Sequence, residues 1–287
     1  MRQGLVILAC LLAFDPGWIF NKSNELVLLP SGGKEDFSPF RLSVGPGGEI
    51  FVLDREHARL HRFSPKDGRE MWRADGSESG EAFIDPAFLS RPDGFFIYLT
   101  DRGSRKVWRI DYRGEIRGSL DLPFAADPVF FELASGHRFV LYDRASALVH
   151  LLDDSGRSLF SFQPGGPGKA TEPLDMALDG EGKEVFFLWP GNGGISTNSL
   201  SGQKGLGLEF TGEHAEPERL VLIDVFPMIL ARDGRRYLAG SNYGKWINSN
   251  DYTDTSLRDI CYVPGLTVYS LKDNPPRLVI SVKERPD

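Results

Sequence analysis

Three Asp-Arg pairs stand at equivalent places in three similar segments: Asp54-Arg55, Asp101-Arg102 and Asp143-Arg144, each directly after an aliphatic run. A ring of carboxylates about an axis could hold a metal or serve as acid and base. Repetition argues for a structural task instead, because catalysis needs different groups converging on one point. Each Asp is expected to accept backbone N–H bonds in its own turn. His57 and His61 lie in a turn and a strand, and with His137, His150 and His214 they make no zinc pattern. The run Gly165-Gly166-Pro167-Gly168-Lys169-Ala170 misses the phosphate-loop pattern at its first glycine and at its hydroxyl position. No Gly-x-Ser-x-Gly elbow occurs. Cys261 sits in an apolar run and reads as packed rather than reactive. The expectation is therefore no catalytic residue, no metal ligand and no cofactor.

Binding is the chemistry that remains. In the fourth unit Trp189-Pro190-Gly191-Asn192 replaces the Asp-Arg pair, and residues 241–252 carry Tyr243, Lys245, Trp246 and Asn248. Aromatic rings beside amide and ammonium groups suit sugar stacking or a protein hot spot. The register of the fifth unit decides whether these groups meet. Counting from Pro217 keeps a regular period, whereas matching Arg232-Asp233-Gly234 to the earlier glycine turns sets Gly234 52 residues after Gly182. The turn match is preferred, and it puts both departures on the face of the second-to-third turns, in adjacent units. Trp189, Asn192, Tyr243, Lys245, Trp246 and Asn248 are the candidate ligand-binding residues.

The elements that must position them are strands. Residues 39–72 read as one antiparallel unit: a short alternating run, a Gly45-Pro46-Gly47-Gly48 turn, the buried run Ile50 to Leu53, a turn, an alternating run, a Lys66-Asp67-Gly68 turn and a closing run. Copies follow Pro86, Pro128 and Pro173, so the opening prolines are 47, 42 and 45 residues apart. Periods of this length with four short strands each mark propeller blades. A lone blade cannot bury both faces of its sheet, so several must stack around an axis. Gly-rich linker, proline, strand, glycine turn, aliphatic strand, Asp and then a basic strand resembles the NHL-repeat family of β-propellers over roughly residues 31–210. The resemblance implies a six-bladed fold and a habit of binding proteins, RNA or sugars, without one activity.

The fold class expected is all-β, a propeller of four-stranded antiparallel blades, six in number, with five blades plus extra strands as the alternative. At 287 residues one domain suffices. Residues 17–287 are read as that domain and residues 1–16 as a signal peptide or apolar N-terminal segment, since GLVILACLLAF is too short to span a bilayer. Residues 18–29 read as the last two strands of a unit, completed by C-terminal strands so that no edge stays free. A net charge of −7 argues against nucleic acid. Two cysteines make no disulfide framework.

The function expected is a non-catalytic, exported module, periplasmic or secreted, that binds a protein or carbohydrate on its loop face. Residues 1–14 would permit membrane association. The alternative is a lactonase- or gluconolactonase-like hydrolase with a metal in the central channel.

Overall fold

A computed structural model describes residues 19–33, 36–77, 80–166, 172–190, 194–208, 216–223, 226–232, 236–239, 246–248, 256–263 and 267–284. The apolar N-terminus, with Cys10, lies outside them.

The described residues form six four-stranded antiparallel sheets. The chain enters with β1 (Ile19–Val27), which later completes the last sheet. The first full sheet is β2 (Pro39–Val44), β3 (Ile50–Asp54), β4 (Arg59–Phe63) and β5 (Glu70–Ala74). The second is β6 (Pro86–Leu89), β7 (Phe96–Asp101), β8 (Lys106–Asp111) and β9 (Ile116–Asp121). The third is β10 (Pro128–Ala134), β11 (Arg138–Asp143), β12 (Leu148–Leu152) and β13 (Ser158–Phe162). The fourth is β14 (Asp175–Leu178), β15 (Glu184–Leu188), β16 (Ile195–Ser199) and β17 (Lys204–Leu208). The fifth is β18 (Pro217–Ile223), β19 (Phe226–Ala231), β20 (Arg236–Ala239) and β21 (Trp246–Asn248). The last joins β22 (Leu257–Val263), β23 (Thr267–Lys272) and β24 (Arg277–Glu284) to β1, in the order β1-β24-β23-β22.

The architecture is thus a β-propeller of four-stranded antiparallel blades. Inner strands pack β2 to β6 to β10 to β14 to β18 to β22 and back to β2. Closure through β1 agrees with the sequence reading, although residues 18–29 supply one strand rather than two.

Burial follows position in the blade. The second strand of the first sheet, Ile50-Phe51-Val52-Leu53-Asp54, is buried at every residue because both its faces meet neighbouring sheets. The outermost strand β5 alternates between half-buried and exposed, as an edge facing water should. The cores lie between sheets. One cluster joins Phe51 and Leu53 of the first sheet to Ile97, Leu99, Trp108 and Ile110 of the second, and each such side chain contributes about 1.5–3 kcal/mol when fully buried. Gly68 shows how closely the chain is drawn in where β1 gives way to the first sheet. Its φ is +69°, and a Cβ there would stand 1.9 Å from the Val27 carbonyl oxygen.

Five of the six inner strands share one irregularity, which the fourth lacks. The ladder slips between Pro39 and Arg41, Pro86 and Phe88, Pro128 and Phe130, Pro217 and Arg219, and Leu257 and Asp259. Proline offers no N–H to the ladder, and a bulge beside it re-aims the next side chain. Arg41, Phe88, Phe130, Asp175, Arg219 and Asp259 consequently occupy equivalent positions on the six inner strands.

One register expectation is overturned. The fifth inner strand begins at Pro217, and Arg232 follows β19, the second strand. The Arg232-Asp233-Gly234 sequence therefore follows the second strand and is no counterpart of the earlier glycine turns. Arg232 corresponds to Arg55, and its amide donates to the Glu216 carbonyl at 2.8 Å as Arg102 does to Asp85 at 3.0 Å.

Candidate functional site

The repeated aspartates are structural. Asp54, Asp101 and Asp143 end the second strands of their sheets and are no more than 1% exposed. Asp101 accepts the amides of Ile84 and Asp85, both at 2.9 Å, and of Gly103 at 3.0 Å. Asp143 accepts those of Asp127 (2.7 Å) and Ser146 (3.1 Å), and Asp54 those of Ser38 (3.1 Å) and His57 (3.0 Å). Each carboxylate thus pins the linker that enters its own blade, as the turn chemistry of Asp predicts. The following arginines bridge blades. Arg55 meets Asp85, Arg102 meets Asp85 and Asp127, and Arg144 meets Asp127 and Glu172.

Of the expected binding residues, the structure describes Trp189, Trp246 and Asn248. Trp189 stands in the place of Asp54, Asp101 and Asp143, and like them it is buried, at 1% exposure. Its Nε1 donates to Ser196 Oγ at 2.8 Å, and its ring packs in a core with Phe187 and Val185. Trp189 is therefore a core residue and is corrected as a surface contact. Trp246 and Asn248 belong to the outermost strand of the fifth blade, since Ala239 pairs with Trp246 and Tyr237 with Asn248. They flank no second-to-third turn, so the shared-face argument falls with the register that supported it. Asn192, Tyr243 and Lys245 lie outside the described residues.

Chemistry gathers on the axis instead. A small cavity, open at one end, is lined by residues from all six inner strands or the turns that follow them. Its buried floor is an ion-pair network. Arg41 reaches across to Asp175 with two bonds, Nη1 to Oδ2 at 3.2 Å and Nη2 to Oδ1 at 3.1 Å. Asp259 lies 4.0 Å from Arg41 Nη1 and 3.9 Å from Arg219 Nε. The same carboxylates accept backbone amides of the neighbouring blades: Leu220 N donates to Asp175 at 2.9 Å, and Leu42 N to Asp259 at 2.7 Å. Aromatic rings cover the guanidiniums, with Arg41 5.0 Å from the Phe88 centroid and Arg219 5.0 Å from that of Phe40. Burial raises the Asp259 pKa against the pull of both arginines. It lowers that of Arg219, with repulsion from Arg41 acting in the same direction. Burial also opposes the charge on Arg41, but Asp175 and Asp259 outweigh it and its pKa rises.

Two residues further along the inner strands the cavity changes character. Here stand Ser43, Glu132, Ala177, Val221 and Cys261, with Arg91 just beyond the end of β6. Glu132 Oε2 is 3.5 Å from the Arg91 amide. Burial pushes the Glu132 carboxyl up to about 7, against the attraction of Arg91. Burial pushes the Cys261 thiol up to about 12, so it is a neutral, packed group as its sequence context suggested. Arg91 is exposed, and among the described residues its guanidinium has no ion-pair partner. This end lies towards the first-turn side, opposite the face that the sequence reading favoured. The missed residues carried a legible signal: a charge two positions after the opening proline of an otherwise apolar strand, as at Arg41, Asp175 and Arg219.

Comparison with solved structures returns propeller enzymes. A virginiamycin B lyase from Staphylococcus aureus superposes with a TM-score of 0.65 at 14% identity, over 92% of this chain and 99% of that one. A catalytically inactive variant of that lyase with quinupristin gives 0.62 at 16% identity, over 88% and 83%. A streptogramin B lyase gives 0.63 at 13%, over 92% and 98%. Neither a protein-family model nor a curated protein matches the chain, so the NHL resemblance rests on its turn and strand pattern alone. At these identities the likeness establishes a shared β-propeller fold.

Proposed function

We propose that this chain takes a small organic molecule into its axial channel, at the end lined by Arg91, Glu132, Cys261 and Tyr262, and we infer that its six sheets are six blades of one ring around that channel. The observation that carries this reading is the contrast within one cavity. At the floor Arg41 and Arg219 face Asp175 and Asp259, whereas at the mouth Arg91, without an ion-pair partner among the described residues, acts on a carboxyl that burial holds near neutrality and that its amide approaches at 3.5 Å. A few convergent polar groups in a concavity are a usual feature of a ligand site.

A metal hydrolase is less well supported. No group of three or more His, Cys, Asp or Glu is placed to hold a metal among the described residues. Asp175 and Asp259 already face arginines and backbone amides. A metal-free enzyme is the second reading, because a carboxyl held at about 7 suits a general base near neutral pH. Protein or carbohydrate binding near Tyr243, Lys245, Trp246 and Asn248 is kept as a separate proposal.

The test is a thermal-shift and calorimetric screen of small organic molecules on the full chain and on Val221→Trp, which narrows the channel from its wall. Ligands that bind the wild type and fail on a folded Val221→Trp support the axial site. Ligands that bind both proteins equally would remove it. A melt lowered by chelator, with about one equivalent of bound divalent metal, would restore the hydrolase.

A further inference from the structure

At the mouth of the channel Arg91 meets a carboxyl whose negative charge burial disfavours, and this suggests what the ligand is. On the floor Arg41 and Arg219 are matched by Asp175 and Asp259. At the mouth Arg91 lies close enough for its charge to act on both Glu132 and Cys261. Among the described residues the titratable or charged groups near Glu132 come from four other inner strands or their ends. Arg91 follows β6, Asp175 is on β14, Arg41 is on β2, and Cys261 and Asp259 are on β22. Opposite Glu132 in its own sheet, β11 presents the uncharged Val140. Arg41 Nε is also buried in this cavity wall without a hydrogen-bond partner.

A protonated Glu132 offers an O–H donor, and a guanidinium offers a planar fork of N–H donors that fits a carboxylate. Ala177, Val221 and Cys261 line the same end of the cavity and offer a small apolar surface beside them. We propose that the axial site binds a small monoanionic organic carboxylate between Arg91 and Glu132, and that Glu132 takes up a proton as the ligand enters. The inference rests on the axial-site reading above and names its ligand class. Proton balance is simple. Above neutrality the ionised Glu132 gains one proton from solvent when the anion binds, and it releases that proton on dissociation. No covalent bond changes.

Calorimetry with benzoate, and with neutral benzamide as its isostere, tests this on the full chain. Benzoate affinity is expected to fall about tenfold per pH unit above about pH 7, with close to one proton taken up per ligand when two buffers of different ionisation heat are compared. Glu132→Gln keeps benzoate binding and loses its pH dependence. Arg91→Met, a change at an exposed side chain, weakens benzoate at least about tenfold and leaves benzamide unaffected. Benzoate binding that is indifferent to pH and to Arg91→Met would overturn the inference. Benzamide or other neutral molecules bound in the channel, with benzoate excluded, would overturn the carboxylate and preserve the axial site. If the screen finds no ligand that Val221→Trp excludes, both fall.

Discussion

Replacing Arg41 by Met tests the channel floor. The substitution keeps an unbranched apolar stem and removes the guanidinium that bonds Asp175 twice, at 3.1 and 3.2 Å. Asp175 and Asp259 are 1% and 3% exposed, so neither can turn to water. Each retains one backbone amide, from Leu220 and Leu42, and only Arg219 remains as a counter-charge. Removing one partner of a buried ion pair costs about 3–5 kcal/mol, mostly because the other charge is left uncompensated. At about 2–4 °C per kcal/mol for a domain of this size, the melting temperature should fall by about 6–20 °C. The deficit should also depend on pH. Burial already raises the Asp259 pKa, and loss of Arg41 removes one of the two charges that oppose this rise. Protonation then relieves the variant, and its deficit should narrow from about pH 8 to about pH 5. Calorimetric melts of both proteins across that range decide the matter. A loss below about 1 kcal/mol, or a deficit that widens as pH falls, would show that water reaches the pair and that the floor is not sealed.

Three further expectations follow from the same structure. Trp189→Ala should cost about 3–5 kcal/mol in a denaturant melt, as for other buried aromatics, while Trp189→Phe should cost distinctly less; a loss under about 1 kcal/mol would return Trp189 to the surface. Asp101→Ala should cost at least about 3 kcal/mol, because four backbone amides lose a charged acceptor, and Asp101→Asn should recover part of it; equal losses in both variants would mean that charge alone matters. Burial lifts the folded-state pKa of Glu132 from 4.5 to about 7, so its stabilising effect is complete below 4.5 and is lost as pH rises through about 7. Glu132→Gln should therefore melt progressively higher relative to wild type between about pH 5 and about pH 8, and parallel profiles would refute the shift.

The propeller was legible because turn and strand chemistry repeat. Pro39, Pro86, Pro128 and Pro217 open inner strands, and the Asp-Arg pairs close the second ones. The fifth register misled because Asp233-Gly234 imitates a glycine turn, although Ala231-Arg232 stands where Asp-Arg does in the first three units. Trp189 was read as a surface aromatic when its place in the repeat required burial. A position filled elsewhere by a sealed carboxylate can be filled by an indole, provided its N–H finds an acceptor such as Ser196. The channel escaped notice because Arg41 and Asp175 are 134 residues apart in sequence, and Asp259 lies further still, yet they meet only once the ring has closed. No local pattern announces that meeting.

The bridges from Arg55 through Asp85, Arg102, Asp127 and Arg144 to Glu172 form a rail along one rim, and the rail breaks where Trp189-Pro190 replace the Asp-Arg pair. The ring therefore has two kinds of seam. Joints among the first four blades carry charge, and their half-exposed pairs weaken in salt. Among the described residues no such rim pair joins the fourth blade to the fifth, where Ala177 and Leu188 meet Leu220 and Ile229; apolar contact of that kind tightens in the presence of excluded salts such as sulfate. Ionic strength and choice of anion should then shift where the ring first parts, moving the weakest joint around the circle while the overall melt changes little.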